Sequence, residues 1–415
     1  MKHLLLHTIA FSPDRVSTAY LYNDIALKFQ KKGFNVSVVT TTPHYNPEKA
    51  RNIDQPLSAK YFGLFYISDF KGINIIHIPQ VKFKNTILRL AGFVYWHILS
   101  FLVILAKKKV DIILSPSPPL TIGFLNIILA KIKNAKAIYN IQEVYPDLLI
   151  EDHNLTNPLT ISLLRGLEGF IYNKSDSVTI IDEFFYDKVL PRFRKKHKLH
   201  IIPNFVDTSI FRPLENSEMR IDNIIFPEND LLKVMFAGNI GLAQDWELLI
   251  SVASKLRDFK VVFFVVGNGV QRSHLQSEIR RNNISNICLV PYQNRLIMPS
   301  LIAYSDLQFI FMSQKTEAYG FPSKIYTIMS CGKPMLVASG NDTPISKFLK
   351  DKHCSFLVTE KKFSAKVAEV VSILKSLDNK TLLVYGQRAH EIVQDGYSSD
   401  AVTDMYIQLV DTELV

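Results

Sequence analysis

Residues 316–339 read "TEAYGFPSKIYTIMSCGKPMLVAS", the stretch of this chain whose residue types and spacing are best suited to chemistry. Gly320 and Pro322 break the chain after a strand, Ser323 is placed to cap a helix, and Cys331-Gly332 ends that helix before the next strand. The spacing predicts that Glu317, Ser323 and Lys324 gather at one helix N-terminus. Lys324 supplies a mobile positive charge and the helix end supplies N–H donors, a pairing that suits a diphosphate. Glu317 is an acceptor for sugar hydroxyls. The plain alternative is a capped helix beside an exposed lysine, and the density of special residues argues against it.

A second stretch, "AGNIGLAQDWELLISVASKL" from Ala237, starts as a strand, passes two glycines and becomes a helix. Gly238 and Gly241 allow close backbone approach to an anion, and the following helix is expected to aim its first N–H groups at it. Asn239 and Gln244 are uncharged donors for a phosphate or hydroxyl. Any α/β protein has such turns, so a purely structural reading competes. "VVGNGVQ", with Gly267 and Gly269, matches only the first half of GxGxxG, and no convincing acidic residue follows a second strand. That disfavours a nicotinamide dehydrogenase. The chain has no GxxxxGK[ST] and no Asp-x-Asp, so a P-loop ATPase and a carboxylate metal clamp are disfavoured too. No metal or cofactor is expected.

In the first half, "YNIQEVYPDLLIED" from Tyr139 sets Gln142, Glu143 and Asp147 beyond a strand's carboxyl end, where open α/β sheets keep their working groups. Glu143 is the best candidate for a carboxylate facing a ligand, whereas Asp147 after Pro146 is readily explained as a cap for the next helix. "FSPDRVS" and "TTPHYN" leave two other strands on the same edge, bringing Asp14, Arg15, His44 and Tyr45 forward as contacts to a second substrate. His44 alone is more simply structural.

These residues need a scaffold, and 415 residues are too many for one ordinary core, so two domains are expected. Short apolar runs alternate with helical ones: "HLLLH", "NVSVVTT", "NIIHIP", "VDIILSP", "KAIYNI" and "SVTIID", then, after a polar stretch to Asp230, "LKVMFAGN", "KVVFFVVGNG", "NICLV", "DLQFIFM" and "KPMLVAS". Strand–helix–strand alternation predicts two doubly wound parallel sheets, an α/β fold with residues 1–200 and 201–397 as domains and a ligand cleft between them. The three cysteines have no metal or disulfide spacing, and "MKHLLLHTIAF" reads as a strand rather than a secretory signal. The net charge of +10 is partly clustered, at Lys107-Lys108-Lys109 and in "RFRKKHK", as on a surface for phosphates, an anionic membrane or plain solvent. No nucleic-acid-binding signature accompanies it. "LAGFVYWHILSFLVILA" is near the length of a membrane span. Spanning is rejected because the strands on either side should share one sheet. We expect burial of this helix, with docking in a membrane interface as the alternative.

Together these stretches resemble the family 4 retaining glycosyltransferases of the GT-B fold. The likeness runs through "FSPD", "VSVVTTTPHYN", "SPSPPLTIG", "YNIQEVYPD", "IIPNFVDTSIFRP", "AGNIGLAQ", "VVGNGV" and "PSKIYTIMSCGKPML". Within the family, the chain is most similar to the bacterial N-acetyl-fucosamine transferases of O-antigen and capsule assembly. The resemblance implies an N-terminal acceptor domain, a C-terminal nucleotide-sugar domain and a last helix, about 398–415, crossing back onto the first. It maps donor contacts to Gly238, Asn239, Gly241, Gln244, Gly267, Gly269, Glu317, Ser323, Lys324 and Thr327. Thr327 stands for the second glutamate of the usual pair, after nine intervening residues rather than seven. The implied reaction is metal-free transfer from a UDP-sugar co-substrate to a lipid-diphosphate-linked saccharide, at the inner face of the cytoplasmic membrane. Lys324 would stabilise the leaving group and Glu143 would handle the acceptor hydroxyl. Two rivals share parts of this layout: a non-hydrolysing UDP-sugar epimerase, and a degenerate sugar-nucleotide-binding partner protein suggested by Thr327.

Overall fold

The computed structural model describes residues 1–14, 16–43, 55–81, 85–151, 155–215, 230–318 and 320–414. Contacts divide the chain into two units, Met1–Asn204 with Ser399–Val415, and Phe205–Ser398.

The first unit runs β1 (His3–His7), α1 (Ser17–Lys31), β2 (Asn35–Thr41), β3 (Ser58–Lys60), β4 (Phe65–Phe70), β5 (Ile73–Ile78), α2 (Thr86–Ala106), β6 (Ile112–Ser117), α3 (Leu120–Lys133), β7 (Lys136–Ile141), α4 (Asp147–Glu151), α5 (Pro158–Lys174), β8 (Ser177–Ile180), α6 (Glu183–Val189) and β9 (Leu199–Ile201). Among the described residues its sheet has the order β3-β4-β5-β2-β1-β6-β7-β8-β9. All neighbours are parallel except in the β3–β4–β5 meander. Leu4, Leu5 and Leu6 of β1 are wholly buried, as expected for a central parallel strand covered on both faces. Gly33, at φ +87°, turns the chain from α1 into β2. The short pieces β3, β4 and β9 carry no clean apolar run and were not expected.

Helix α2 departs from the burial we expected. Of its most apolar window only 22% is buried. Trp96, Leu99, Ser100 and Ile104 face the core, while Leu90, Val94, Ile98 and Leu102 are exposed. Asn85 caps its start, accepting from the Ile87 and Leu88 amides at 2.8 and 3.3 Å. Lys133 of α3 closes its end, donating to the Leu105 carbonyl at 2.6 Å and also to that of Lys107. A helix that is apolar all round gives no direction from sequence, so which stripe meets the core is settled only by packing.

The second unit runs β10 (Leu232–Ala237), α7 (Trp246–Lys255), β11 (Val261–Val266), α8 (Arg272–Arg281), β12 (Ile287–Val290), α9 (Met298–Tyr304), β13 (Leu307–Phe311), α10 (Lys324–Ser330), β14 (Met335–Ala338), α11 (Pro344–Leu349), β15 (Ser355–Val358), α12 (Phe363–Ser376) and α13 (Asn379–Gly396). Its strands lie in the order β12-β11-β10-β13-β14-β15, all parallel. The direction of winding reverses between β10 and β13, which opens a crevice at their carboxyl ends. The last helix, α14 (Ser399–Glu413), belongs to the first unit and packs on α1, with ion pairs from Lys28 to Asp400 and from Lys32 to Asp404.

Asp147 does more than the capping role expected of it. It is buried and takes Arg192 at 2.7 Å, Arg165 at 2.5 Å and Lys188 at 3.1 Å. Glu168, 2% exposed, pairs with Arg165 and Arg192 as well. Burial acts to raise the Asp147 carboxyl, but Arg192 and Lys188 hold it below the ordinary carboxylate range; at Glu168 burial prevails and the pKa ends raised. Arg192, part of the basic block, is thus turned inward as the link between two buried carboxylates. Arg192→Met should leave them undercompensated and lower first-unit stability by about 3 kcal/mol, read by urea unfolding.

Candidate functional site

The carboxyl edge of the second sheet assembles the residues singled out around Ala237, Val266 and Phe311. Its tightest point is where the ends of β10 and β11 touch. Gly267 has φ +144°, and a Cβ there would lie 1.9 Å from the Gly238 carbonyl oxygen. Only glycine permits that approach. The Asn239 amide and the Ile240 carbonyl then fill space that side chains would need: a Cβ on Gly241 would lie 2.8 Å from Asn239 Nδ2, and one on Gly269 would lie 2.3 Å from the Ile240 carbonyl oxygen and 2.6 Å from Asn239 Oδ1. Gln244 folds back onto the same turn, its Oε1 accepting from the Gly241 amide at 3.2 Å.

This turn is sewn to the segment that follows β13. Asp245 N donates to the Phe311 carbonyl at 3.2 Å, and Ser313 N donates to that of Ala243 at 3.0 Å. Thr316 Oγ1 donates to the same Ala243 carbonyl at 3.0 Å. Beneath lies an aromatic cluster: Phe236, Trp246 and Phe311 have ring centroids 5.1 to 5.2 Å apart. Trp246 Nε1 donates to Gly241 O at 2.8 Å, fixing the turn from below.

Lys324 reaches into this assembly. Its Nζ lies 3.7 Å from the centre of the Phe236 ring and donates to the Ala237 carbonyl at 3.3 Å. The residue as a whole is half-buried, but the ammonium end is the part drawn in. Burial pushes its pKa down to about 7. Glu317 holds the far side of the crevice: its Oε2 accepts from the Gly340 amide at 2.8 Å and the Ser339 hydroxyl at 3.3 Å, just past β14. Lys324 and Glu317 therefore flank the end of β13, about two strand spacings, roughly 10 Å, apart. Thr327 is half-buried one turn after Lys324 on α10, and Ser323 is exposed.

Two local expectations fail. Ser323 does not cap α10: it is already in helical conformation (φ −57°, ψ −20°) and its side chain makes no cap bond. Nor is the start of the helix after the glycine turn left open as expected. It begins only at Trp246, and the Asp245 carboxylate accepts from the Leu248 amide at 3.1 Å. A carboxylate on that helix start opposes an incoming anion. Positive charge at this edge comes from Lys324 and from Arg272, whose guanidinium donates to the Gly267 carbonyl at 2.7 Å.

In the first unit, Glu143 is exposed just past β7, and its carbonyl accepts from Ser117 Oγ at 3.3 Å, tying it to the end of β6. Asp14 is buried in the turn after β1, two strand positions away, where its amide donates to the Phe11 carbonyl. Arg15, His44 and Tyr45 lie outside the described residues. Two buried networks that sequence reasoning missed brace this edge. Asn140 Oδ1 accepts from Tyr22 at 2.5 Å and from Gln142 at 2.5 Å, and Gln142 accepts from Asn204 at 2.9 Å. Ser12 donates to Gln55, Gln55 to Ser68, and Ser68 meets His77 Nε2 at 2.8 Å. His77 Nδ1 lies 3.1 Å from the Thr41 carbonyl, which assigns the proton to Nδ1. Burial pushes its pKa down to about 4, so it stays neutral at physiological pH. A histidine inside the apolar strand "INIIHI" was the available signal.

Two family models match, and between them they span most of the chain: "Glycosyltransferase Family 4" over residues 20–210 and "Glycosyl transferases group 1" over residues 232–376. The putative colanic acid biosynthesis glycosyl transferase WcaI of Escherichia coli (strain K12) is 21% identical over 338 residues, 79% of this chain and 81% of that protein. Among solved structures, sucrose-phosphate synthase from Thermosynechococcus elongatus superimposes with a TM-score of 0.72 at 14% identity, covering 99% of each chain. Anabaena Alr3699/HepE in complex with UDP-glucose does so with a TM-score of 0.67 at 12% identity, covering 99% of this chain and 100% of that one. At such identities the structural likeness is one of fold.

A lysine whose pKa falls from 10.5 unfolded to about 7 folded binds fewer protons in the folded state between those values. Ligand-free stability should therefore rise with pH from about 7 to about 10 through this group. Lys324→Met should remove that rise and, at pH 7 and below, unfold later than the parent by at least about 1 kcal/mol, measured by thermal unfolding across a pH series.

Proposed function

The chain is a glycosyltransferase of the family 4 type, built from two Rossmann-like units of the GT-B fold, and from that premise we propose that it moves an N-acetylated hexosamine or deoxyhexosamine from UDP to a lipid-diphosphate-linked saccharide. The second unit takes the donor and the first the acceptor, during assembly of a bacterial surface polysaccharide such as O-antigen or capsule. The observation that carries the donor assignment is the Lys324 amine, placed at the point where the second sheet reverses its winding. The UDP-glucose in the HepE structure and the colanic acid named for WcaI support the same reading.

The diphosphate lies over the Gly238 and Gly267 turns, where no side chain obstructs it, with Lys324 as its cation. Asn239 and Gln244 donate to its oxygens. Glu317 takes hydroxyls of the sugar, and Thr327, on the same helix face as Lys324, reaches the ribose. The bond from the anomeric carbon to the β-phosphate oxygen breaks as the bond to the acceptor oxygen forms on the same face. Negative charge then develops on departing UDP, and a protonated Lys324 in a desolvated place stabilises it without a metal. Glu143 orients the acceptor hydroxyl and takes its proton.

Lys324 gains its proton when the diphosphate arrives, because an adjacent dianion favours the ammonium that burial disfavoured. Calorimetric titration of UDP at pH 7, in buffers of different ionisation enthalpy, should show uptake of about half a proton, absent in Lys324→Met. Lys324→Ala should lower kcat/KM by about 10²–10³, measured as UDP release from a panel of UDP-sugars with membrane lipid extract. EDTA should leave the parent rate unchanged; strict dependence on added Mn²⁺ would overturn the metal-free step. UDP-sugar binding with no transfer to any lipid extract would overturn the transferase reading of this site.

A further inference from the structure

Helix α2 presents Leu90, Val94, Ile98, Leu102 and Leu105 as one outward stripe at three- and four-residue spacing, each between 37% and 61% exposed. The apolar surface does not stop there. Helix α3 packs beside α2 and α5 beside α3, and exposed Phe124 and Phe170 join those two helices with ring centroids 5.5 Å apart. Leu159 and Leu163 extend the surface along α5. On the other flank Tyr95 donates to the Leu64 carbonyl at 3.1 Å, docking the turn between β3 and β4 against α2. At that turn Phe62 is fully exposed in the left-handed region (φ 58°, ψ 29°). A large aromatic held there gains no burial to offset its backbone strain, which points to a task outside the fold.

Charge identifies the occupant. Neither α2 nor α3 contains an acidic residue. Arg89 lies toward one end of the stripe, Lys107, Lys108 and Lys109 at the other, and Lys131 and Lys133 on α3. A second copy of the chain would bring the same cations together. An apolar band rimmed by cations fits an anionic lipid bilayer. Topology sets the orientation. The strands that flank α2, β5 and β6, lie in one sheet with β2 and β1 between them. The helix therefore leaves and re-enters the same sheet and cannot cross a bilayer.

We propose that the α2–α3–α5 face, with Phe62 as a wedge, docks flat on an anionic membrane, burying the stripe about 5–10 Å deep at the headgroup boundary. This deepens the reading that the acceptor is lipid-linked, and rests on it for its purpose.

The full chain would be floated with phosphatidylcholine vesicles, with and without about a quarter phosphatidylglycerol. Binding to the anionic vesicles is expected, weakened at least about tenfold by Ile98→Glu/Leu102→Glu. Lys108→Glu/Lys131→Glu should remove the preference for phosphatidylglycerol. These positions are exposed, and unchanged thermal unfolding and UDP binding would confirm that each variant folds. Absence of binding by the parent, or binding unaffected by the stripe variant, would overturn the proposal. So would a self-association, seen by sedimentation velocity, that the stripe variant abolishes. The two readings fail separately: vesicle binding without transfer to lipid extract leaves the docking and removes the acceptor, whereas transfer to lipid extract by a parent that ignores vesicles leaves the acceptor and removes the docking.

Discussion

The Lys324 ammonium rests against the Phe236 ring and the Ala237 carbonyl, in a place where water is scarce and no carboxylate among the described residues pairs with it. The rest of the second unit's carboxyl edge is arranged around that unbalanced cation. The aromatic cluster under it keeps the local dielectric low, which both depresses the pKa and strengthens any later interaction with an anion. Gly238 leaves room beside the amine, since a Cβ there would lie 3.3 Å from Lys324 Nζ. Glu317, pinned to the Ser339–Gly340 turn, supplies negative charge about two strands away rather than beside the lysine. The two charges are thereby held apart and do not neutralise each other.

The first unit uses a different means to the same end. Its edge is stiffened by neutral hydrogen-bond chains, through Asn140 in one place and His77 in another, so that loops carrying Glu143 and Asp14 depart from a fixed base. Because His77 and Asn140 carry no charge, they brace this edge without adding a charge of their own. The charged network of Asp147, Glu168 and Arg192 lies farther along the chain, among α4, α5 and the segment after α6, and serves packing.

Much of this fold was legible because parallel strands covered on both faces read as unbroken apolar runs. "HLLLH", "KAIYNI" and "VVFFVV" allow hardly any other assignment. The pieces missed are short or half-exposed: β3, β4, β9 and β15 depend on a neighbour for their conformation. At the site, residue types were readable and contacts were not. Lys324 and Ala237 are 87 positions apart, and nothing local to either announces that the amine will meet that carbonyl. Ser323 misled because a serine before a helix usually caps it, yet here the helical geometry starts one residue early. The helix after the glycine turn was expected to face an anion, yet Asp245 caps its start with a carboxylate. Arg15, His44 and Tyr45 lie outside the described residues, so this edge of the first unit is defined by its supports.

The depressed proton affinity of Lys324 has a consequence apart from any turnover. At neutral pH a far larger share of such amines carries a free lone pair than of ordinary surface lysines, which are almost wholly protonated. That makes this nitrogen a preferred nucleophile toward small acylating and carbonyl reagents able to enter the crevice. Occupation of the crevice by an anion would protonate and shield it at once, so the extent of its covalent labelling becomes a direct record of how full the pocket is.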